Sequence, residues 1–164
     1  MFQQLETGRD VRFVYSFGDC NFKHLLDLLP DSQWIDIATY NISKNDKSLQ
    51  NLLATRCDGI PVRFITKIPA WFESYWGKQR KTFKDLFDLY HARLDPANYK
   101  CKFQAFFNVH NHSKLILTDK AAYVGSANFS TESSGNHECG VIFSDPTAIT
   151  NIRKVAFEEL LATS

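Results

Sequence analysis

The sequence predicts one α/β domain built from layers of strands and helices. At 164 residues the chain has the length of a single domain, so we expect one domain over residues 1–164. Strand-like and helix-like segments follow each other in the order β-α-β-α-β over residues 11–68, which is the pattern of an α/β fold. A hydrophobic content of 44% is ordinary for a globular protein and allows a sizeable core.

The first half of the chain carries this alternation. Three strands are expected, at residues 11–17, 34–40 and 62–68. Two helices separate them, at residues 22–29 and 45–57. Pro30 closes the first helix, and Gly59 supplies a stop after the second.

The second half breaks the regular alternation. A helix is expected at residues 82–94, where apolar side chains recur at helical spacing. Further strands are expected at residues 103–109, through His112, at residues 123–124 and at residues 141–143. A terminal helix is predicted at residues 149–162. Neither an internal repeat nor a low-complexity linker is visible in the sequence.

Composition narrows the class of protein and its location. No apolar run approaches the roughly 18 residues that span a bilayer. Residues 1–11 are polar and lack the apolar stretch of a secretory signal, so a cytoplasmic location is expected. The four cysteines contain no C-x-x-C pair and are expected to be reduced. With a net charge of +1, any basic binding surface must be local.

The segment from His112 to Asn128 carries the most chemical information. His112 and Lys114 are two residues apart, so on a strand they would project together, while Leu115 and Leu117 would point into the core. An imidazole can attack phosphorus. The ammonium of Lys114, with a hydroxyl and a carboxamide nearby, can hold phosphoryl oxygens as negative charge builds.

Three pieces of sequence make this segment resemble the phospholipase D superfamily. His112, Lys114 and Asp119 match H-x-K-x4-D, and residues 125–128 read Gly-Ser-Ala-Asn, matching G-S-x-N. Residues 136–138 read Asn-His-Glu and match the N-x-E of family members. Five residues separate Asp119 from Gly125 where the family usually has six, which predicts a tighter hairpin turn.

The resemblance implies a fold and a role for each motif residue. The fold would be a mixed β-sheet between helical layers. His112 would be the nucleophile, with Lys114, Ser126 and Asn128 binding the phosphate. Catalytic residues would be His112, Lys114, Asn128 and Glu138. The Glu138 carboxylate would accept the His112 ring N–H and fix its tautomer, whereas Asp119 and Gly125 would be structural.

The resemblance also implies a reaction and an assembly. The family's chemistry needs no metal, and we expect no cofactor. The chain contains one H-x-K motif, whereas in-line displacement needs a second histidine to protonate the leaving oxygen. We therefore expect a C2 homodimer in which two His112 side chains face each other. Small single-motif members are typically nucleases, so we expect a phosphodiesterase that cleaves DNA or RNA. The alternatives are a phospholipase or phosphatidyl transferase, with membrane lipid the less favoured substrate, and a nucleic-acid-binding module with little turnover.

A zinc site is a competing interpretation of the same segment. The ligand types that it would use are histidine and cysteine, at His110, His112, His137 and Cys139. That interpretation leaves Lys114 and the Gly-Ser-x-Asn turn without a role, so no metal is expected.

One further segment, residues 71–81, interleaves aromatic and basic residues from Trp71 to Lys81. Packing against the core or a dimer partner, stacking on nucleic-acid bases and insertion at a membrane interface are all open for it. Arg56, Arg63 and Lys67 could extend a basic surface.

Overall fold

The computed structural model describes residues 1–43, 46–67 and 83–164. The aromatic and basic segment at residues 71–81 lies outside the described residues, so its role stays open.

The described residues contain eight strands in one mixed sheet. The strands are β1 (Phe2–Gly8), β2 (Val11–Ser16), β3 (Ile35–Thr39), β4 (Pro61–Thr66), β5 (Lys102–Phe107), β6 (Leu115–Thr118), β7 (Ala122–Gly125) and β8 (Glu138–Phe143). Their order across the sheet is β1-β2-β8-β7-β6-β3-β4-β5. β3, β4 and β5 are parallel to one another, and every other neighbouring pair is antiparallel.

Helices connect and flank these strands. They are α1 (Lys23–Leu28), α2 (Ser48–Arg56), α3 (Phe83–Leu94), α4 (Pro146–Ile152) and α5 (Glu158–Ala162). The residues Arg153–Phe157 form a π-helical turn that joins α4 to α5 into one terminal helix. It begins earlier than residue 149 because Asp145 caps it, accepting a hydrogen bond from Ala148 N, and Pro146 occupies its first turn.

Two hydrophobic cores lie on opposite faces of the sheet. On one face Leu25 of α1, Leu53 of α2 and Tyr90 of α3 pack with Ile35 and Ile37 of β3. On the other face the terminal helix contributes a second cluster, whose members include Ala38, Leu115, Leu117, Ile149 and Phe157. The sheet is therefore covered by helices on both faces, which confirms the predicted α/β fold with a mixed sheet between helical layers.

The N-terminal strand β1 was not predicted. It forms an antiparallel hairpin with β2, with Phe2 opposite Ser16 and Glu6 opposite Arg12. Its sequence, Phe-Gln-Gln-Leu-Glu-Thr-Gly, has few apolar residues, because an edge strand can leave much of its surface to solvent. A polar edge strand gives little hydrophobic signal in the sequence.

The predicted strand through His112 is wrong at its start, because β6 begins at Leu115. The preceding residues form a turn held by the buried side chain of Asn111. Its Oδ1 accepts from Ser113 N at 2.8 Å and its Nδ2 donates to Thr39 O at 3.0 Å. Since the side chain of Asn111 takes the bonds that a strand would share with β3, residues 111–114 lie just outside the sheet.

The state of the cysteines and the character of the helices agree with what the sequence predicts. Cys20, Cys57, Cys101 and Cys139 are all free thiols. Among the helices that the structure describes, none combines the length and the apolar character needed to cross a membrane.

Candidate active site

The motif residues come together at one edge of the sheet. Lys114 directly precedes β6, Ser126 directly follows β7, and Glu138 is the first residue of β8. Because β6, β7 and β8 are antiparallel neighbours, the start of β6, the end of β7 and the start of β8 meet at the same edge. The backbone therefore places the three parts of the motif side by side.

The histidine and the lysine contact each other although neither lies in a strand. Lys114 Nζ is 3.1 Å from His112 Nδ1, and it donates to the His112 carbonyl oxygen at 2.6 Å. His112 is exposed at the surface, within reach of a ligand.

The charge of Lys114 is only partly balanced by the residues that the structure describes. Burial lowers the pKa of Lys114 from its usual value, and the negative charge of Glu138 acts in the opposite direction. The hydrogen bonds described for Nζ both go to His112. An anion that reached this half-buried ammonium would therefore supply a contact that the described part of the chain does not.

Glu138 is a buried carboxylate with defined partners. It is 7% exposed. Its Oε2 accepts from the Ser126 hydroxyl and its Oε1 accepts from Asn136 Nδ2 at 3.4 Å. Ser126 Oγ also accepts from Cys139 N at 3.0 Å. The role of Glu138 as acceptor for the His112 ring stays a prediction, because these described bonds go to Ser126 and Asn136.

Asn128 joins the Gly-Ser-x-Asn turn to the end of β3. Its Oδ1 accepts from Tyr40 N at 3.2 Å and from the Thr39 hydroxyl at 3.5 Å. A backbone N–H must meet the carbonyl oxygen of the amide, so this contact fixes which way the Asn128 carboxamide points. The amide nitrogen is left on the other side, where it can donate to a ligand.

Asp119 and Gly125 have the contacts of structural residues. Asp119 follows the far end of β6, and its Oδ1 accepts from Gln33 N at 2.8 Å. The β6–β7 turn is tight, with Thr118 N donating to Ala121 O at 2.9 Å. A Cβ at Gly125 would overlap the hydroxyl oxygen of Tyr123, so only glycine fits there.

Tyr123 and Asn21 support the site from beneath, and the sequence motifs predict neither of them as a site residue. The Tyr123 hydroxyl donates to Asn21 Oδ1 at 2.7 Å and accepts from Ala127 N at 3.3 Å. Asn21 Nδ2 donates to the backbone oxygen of Glu138 at 3.1 Å. This buried chain ties the turn to the start of β8. Asn21 and Glu138 are 117 residues apart, so no local pattern could have revealed the contact.

Tyr40 and Lys67 also lie at this edge. The ring of Tyr40 meets the ring of His112 edge-on, with centroids 4.9 Å apart. Both Lys114 Nζ and Lys67 Nζ lie 5.6 Å from the centroid of the Tyr40 ring. From the sequence, Tyr40 is predicted only as the end of a strand.

Arg63 is not part of a basic surface. It donates from Nε to Asp36 Oδ1 at 2.7 Å and from Nη2 to Glu158 Oε1 at 2.8 Å. Lys67, another of the cations that could extend a basic surface, does lie beside the motif, where its Nζ is close to the Tyr40 ring.

The residues of the competing zinc interpretation do not gather into a ligand set. Among the residues that the structure describes, no group of three or more His, Cys, Asp or Glu side chains could hold a metal ion. His137 Nδ1 is hydrogen-bonded to the Tyr15 hydroxyl, and the His137 ring stacks on the Phe17 ring with centroids 4.3 Å apart.

A cavity of about 370 Å³ lies near the motif but not at His112. The loop at residues 18–22, the start of α2 and the turn around residues 127–134 line it. His112 itself is on the open surface. An open site admits a long substrate, whereas a small molecule usually binds in a concave pocket.

The fold and the motif at its edge are those of an α/β protein with a phospholipase D-like site. Residues 25–161 match the family model described as "Cardiolipin synthase, PLD-like domain". Because this match spans most of the chain, the chain belongs to this phospholipase D-like family, as its motifs predicted. No curated protein sequence matches the chain significantly.

Solved structures show the same fold. The chain is similar to Nuc from Salmonella typhimurium, a phospholipase D family member, at 14% identity and a TM-score of 0.62, covering 93% of this chain and 94% of that chain. NucT from Helicobacter pylori gives 18% identity and a TM-score of 0.56, covering 86% and 87%. Phosphatidylserine synthase from Haemophilus influenzae gives 12% identity and a TM-score of 0.54, covering 96% of this chain and 40% of that chain.

Proposed function

We propose that this protein is a metal-independent phosphodiesterase that hydrolyses DNA or RNA through a covalent phosphohistidine intermediate. The observation that carries the proposal is the contact between His112 and Lys114, 3.1 Å apart at an exposed edge of the sheet. Ser126 and Asn128 lie in the turn after β7, and the end of β7 meets the start of β6 at the same edge of the sheet. A nucleophile, a cation and the carboxamide donor of Asn128 suit a phosphate diester, while the Ser126 hydroxyl holds Glu138.

The reaction proceeds in two displacements at phosphorus. First, an unprotonated ring nitrogen of His112 attacks; the P–N bond forms, the P–O bond to the leaving group breaks, and the leaving oxygen takes a proton from His112 of the partner subunit. Next, that histidine of the partner removes a proton from water, whose oxygen attacks phosphorus. The P–N bond then breaks, which releases a phosphate monoester and restores His112.

Each residue around the nucleophile has a separate task. Lys114 and the Asn128 amide nitrogen donate to the phosphoryl oxygens as their charge increases. Glu138, held by Ser126 and Asn136, orients the histidine. Loss of either donor, or of the Glu138 carboxylate, lowers the rate without removing the nucleophile.

The second histidine comes from a second copy of the chain, because this sequence supplies one H-x-K motif. A C2 axis beside His112 makes the two copies equivalent, with His112 a nucleophile in one and an acid or base in the other. Sedimentation velocity is expected to give the mass of a dimer. A monomer with full turnover would contradict the shared site. Mixing a His112 variant with a Lys114 variant is expected not to restore full activity.

The decisive experiment measures turnover in the presence of EDTA. Labelled single-stranded DNA, double-stranded DNA, RNA and phosphatidylcholine are offered in parallel. Cleavage of a nucleic acid by the wild type is expected, and the His112→Ala variant is expected to be inactive. His110→Ala is the matched control, since it removes another exposed histidine two residues away.

The other outcomes select the alternatives. Cleavage of lipid alone would favour the phospholipase or phosphatidyl transferase, in which an alcohol replaces water in the second displacement. Binding of nucleic acid without turnover would favour a binding module. Loss of activity with EDTA, or with His110→Ala, would favour the zinc site. The cytoplasmic location stays a prediction, which fractionation of cells would test.

A further inference from the structure

Two aromatic rings stack on each other at the surface beside Glu138. Phe17 directly follows β2, and His137 directly precedes β8. β2 and β8 are antiparallel, with Ser16 opposite Glu138, so the end of β2 and the start of β8 meet at the edge of the sheet that carries the motif. The two rings are nearly parallel, with an interplanar angle of 9° and centroids 4.3 Å apart. We call this pair the Phe17–His137 platform.

The platform is exposed and yet held in place. Phe17 is 46% exposed although one side of its ring stacks on His137, and His137 is exposed as well. Gly18 N donates to Ser134 O at 2.8 Å, which ties the loop after Phe17 to the segment before His137. The Tyr15 hydroxyl is hydrogen-bonded to His137 Nδ1 and orients that ring. A ligand therefore meets a surface that is already arranged.

A flat, rigid aromatic surface suits a nucleobase. A single exposed apolar side chain is common and needs no partner, but a ring that is backed by a second, parallel ring presents a flat face in a fixed direction. Bases of unpaired nucleic acid stack on phenylalanine, tyrosine and histidine rings, whatever their sequence. A base on the outer side of Phe17 continues the stack that Phe17 and His137 begin.

The size of the platform favours a base over a larger partner. Two aromatic side chains bury at most about 500 Å² between them, whereas a stable interface between two proteins takes about 800 Å² from each partner. The platform alone is therefore too small to hold a second copy of the chain, while one base covers much of it.

The platform lies some distance along the edge from the nucleophile. β8 is two strands from β6 and β2 is three strands from it. At about 4.8 Å per strand, the rings are about 10–15 Å along the edge from the start of β6, where His112 and Lys114 lie. A polynucleotide with one phosphate at His112 covers this distance with the nucleotides that follow.

We propose that the Phe17–His137 platform stacks on an unpaired base of a single-stranded nucleic acid. The inference rests on the proposed function for the position of the scissile phosphate at His112, and it deepens that function by naming the form of the substrate. In a duplex the bases are stacked and paired with each other, so a base reaches the platform only by leaving the helix, at a cost in free energy. A single strand offers its bases without that cost and is the preferred substrate.

Binding of strands with and without bases tests the stacking. The probes are a fluorescent oligothymidylate of ten nucleotides and an abasic strand of the same length, which carries the same phosphates. Phe17→Leu keeps an apolar side chain but removes the flat ring. It is expected to weaken binding of the oligothymidylate by about tenfold and to leave binding of the abasic strand unchanged. Anisotropy titrations in the His112→Ala background measure both affinities without cleavage.

Two further variants show which property of Phe17 matters. Phe17→Trp keeps a flat ring and is expected to restore the difference between the two strands. Phe13→Leu makes the same change within β2, away from the edge, and is expected to leave that difference as it is in the wild type. With His112 intact, Phe17→Leu is expected to lower kcat/KM for single-stranded DNA by about tenfold and to leave kcat/KM for bis(p-nitrophenyl) phosphate unchanged.

Four results would overturn the platform as a stacking site. They are equal weakening of both strands by Phe17→Leu, no binding of nucleic acid by the wild type, loss of a dimer in sedimentation velocity on Phe17→Leu, and binding to phosphatidylcholine vesicles that Phe17→Leu abolishes. The third would assign Phe17 to an interface between copies, and the fourth would assign it to a membrane surface.

The same experiments separate this inference from the proposed function. Weaker binding of the base-bearing strand alone, in a protein that turns nothing over, would support the platform while the nuclease fails. Turnover of DNA by a protein in which Phe17→Leu binds both strands as the wild type does would support the nuclease and overturn the platform.

Discussion

Two groups of charged side chains flank β3, and they are built differently. In the first, Asp36 is 1% exposed and accepts from Arg63 and from Arg153 Nε, the latter at 2.7 Å. Arg63 also pairs with Glu158 at 2.8 Å. The hydrogen bond from Arg63 lowers the pKa of Glu158, and the bonds to Asp36 raise the pKa of Arg63. Two cations thus meet two anions inside the chain.

The second group lies at the other end of β3, around Tyr40. Here Lys114 contacts the Nδ1 atom and the carbonyl oxygen of His112, and Glu138 bonds to Ser126 and Asn136. The lysine and the carboxylate therefore satisfy neighbouring polar groups and do not bond directly to each other. The charges of the first group are paired with one another. In the second group, the ammonium of Lys114 can still contact an anion from outside the chain.

By the proposed function, one strand serves stability at one end and substrate binding at the other. A buried carboxylate needs its arginines, because an unpaired charge in the interior is costly. An ammonium at an open edge can contact water or a phosphate with little change in the fold. Mutations in the first group should therefore act on stability, and mutations in the second on turnover.

The largest expected effect is on turnover, from His112→Ala. Removing the nucleophile is expected to lower kcat by about 10⁴-fold or more. The midpoint of urea denaturation should not move, because the side chain is exposed. Stopped assays with labelled DNA measure kcat, and circular dichroism measures the midpoint of urea denaturation. A variant that unfolds would show that His112 belongs with the structural group.

The next effect is on stability, from Asp36→Asn. This change leaves two arginines without their buried partner and is expected to lower the free energy of unfolding by about 3–5 kcal/mol. Glu158→Gln is the matched control: Glu158 is 43% exposed, so its loss is expected to cost about 0–1 kcal/mol. If urea titrations showed that both variants lose the same free energy of unfolding, the buried Asp36 carboxylate would not be the centre of the ion-pair group.

Tyr123→Phe is expected to affect both properties. The buried Asn21 Oδ1 and Ala127 N lose their partner, which is expected to cost about 1–3 kcal/mol. The turn that carries Ser126 also loses a support, so kcat should fall. Tyr90→Phe is the comparison, since Tyr90 Oη accepts from Ile42 N at 3.4 Å away from the motif. If both variants lower kcat alike, Tyr123 has no special part in positioning the turn.

The smallest effect concerns pH and Lys114. Burial lowers the pKa of Lys114 below 10.5, so the folded protein releases this proton before the unfolded chain does. As pH rises through this lowered pKa towards 10.5, Lys114 adds stability, because the unfolded state then binds more protons. Over the same window the site loses its cation, and kcat/KM should fall.

Lys114→Arg sharpens this test, because a guanidinium stays charged throughout that range. Its kcat/KM is expected to be lower than that of the wild type but to keep its value as the pH rises. A pH profile with the same alkaline fall in both proteins would show that another group titrates.

The sequence allowed the fold class and the motif to be predicted because both depend on short-range patterns. β3, β4 and α3 follow from apolar periodicity, and His112, Lys114 and Ser126 from a fixed spacing. β1 could not be predicted in this way, because an edge strand needs little apolar surface. The start of β6 at Leu115 could not be predicted either, because it depends on a hydrogen bond from the Asn111 side chain to Thr39, which is distant in sequence.

The supporting contacts were beyond the sequence for a related reason. Asn21 and Tyr123 meet across 102 residues, and Tyr40 meets Lys67 only because β3 and β4 are in register. Ordinary polar residues of this kind gain a role from topology. A single sequence carries no spacing that distinguishes them from other surface or core residues.

The most direct test of the account is to trap the covalent intermediate. The wild type is mixed briefly with an oligonucleotide carrying a radioactive phosphate, quenched in alkaline denaturant because a phosphohistidine is labile in acid, and digested for peptide mapping. We expect a labelled peptide with the phosphoryl group on His112, and no such peptide from His112→Ala. Turnover with no labelled histidine, or with the label on another residue, would contradict His112 as the nucleophile.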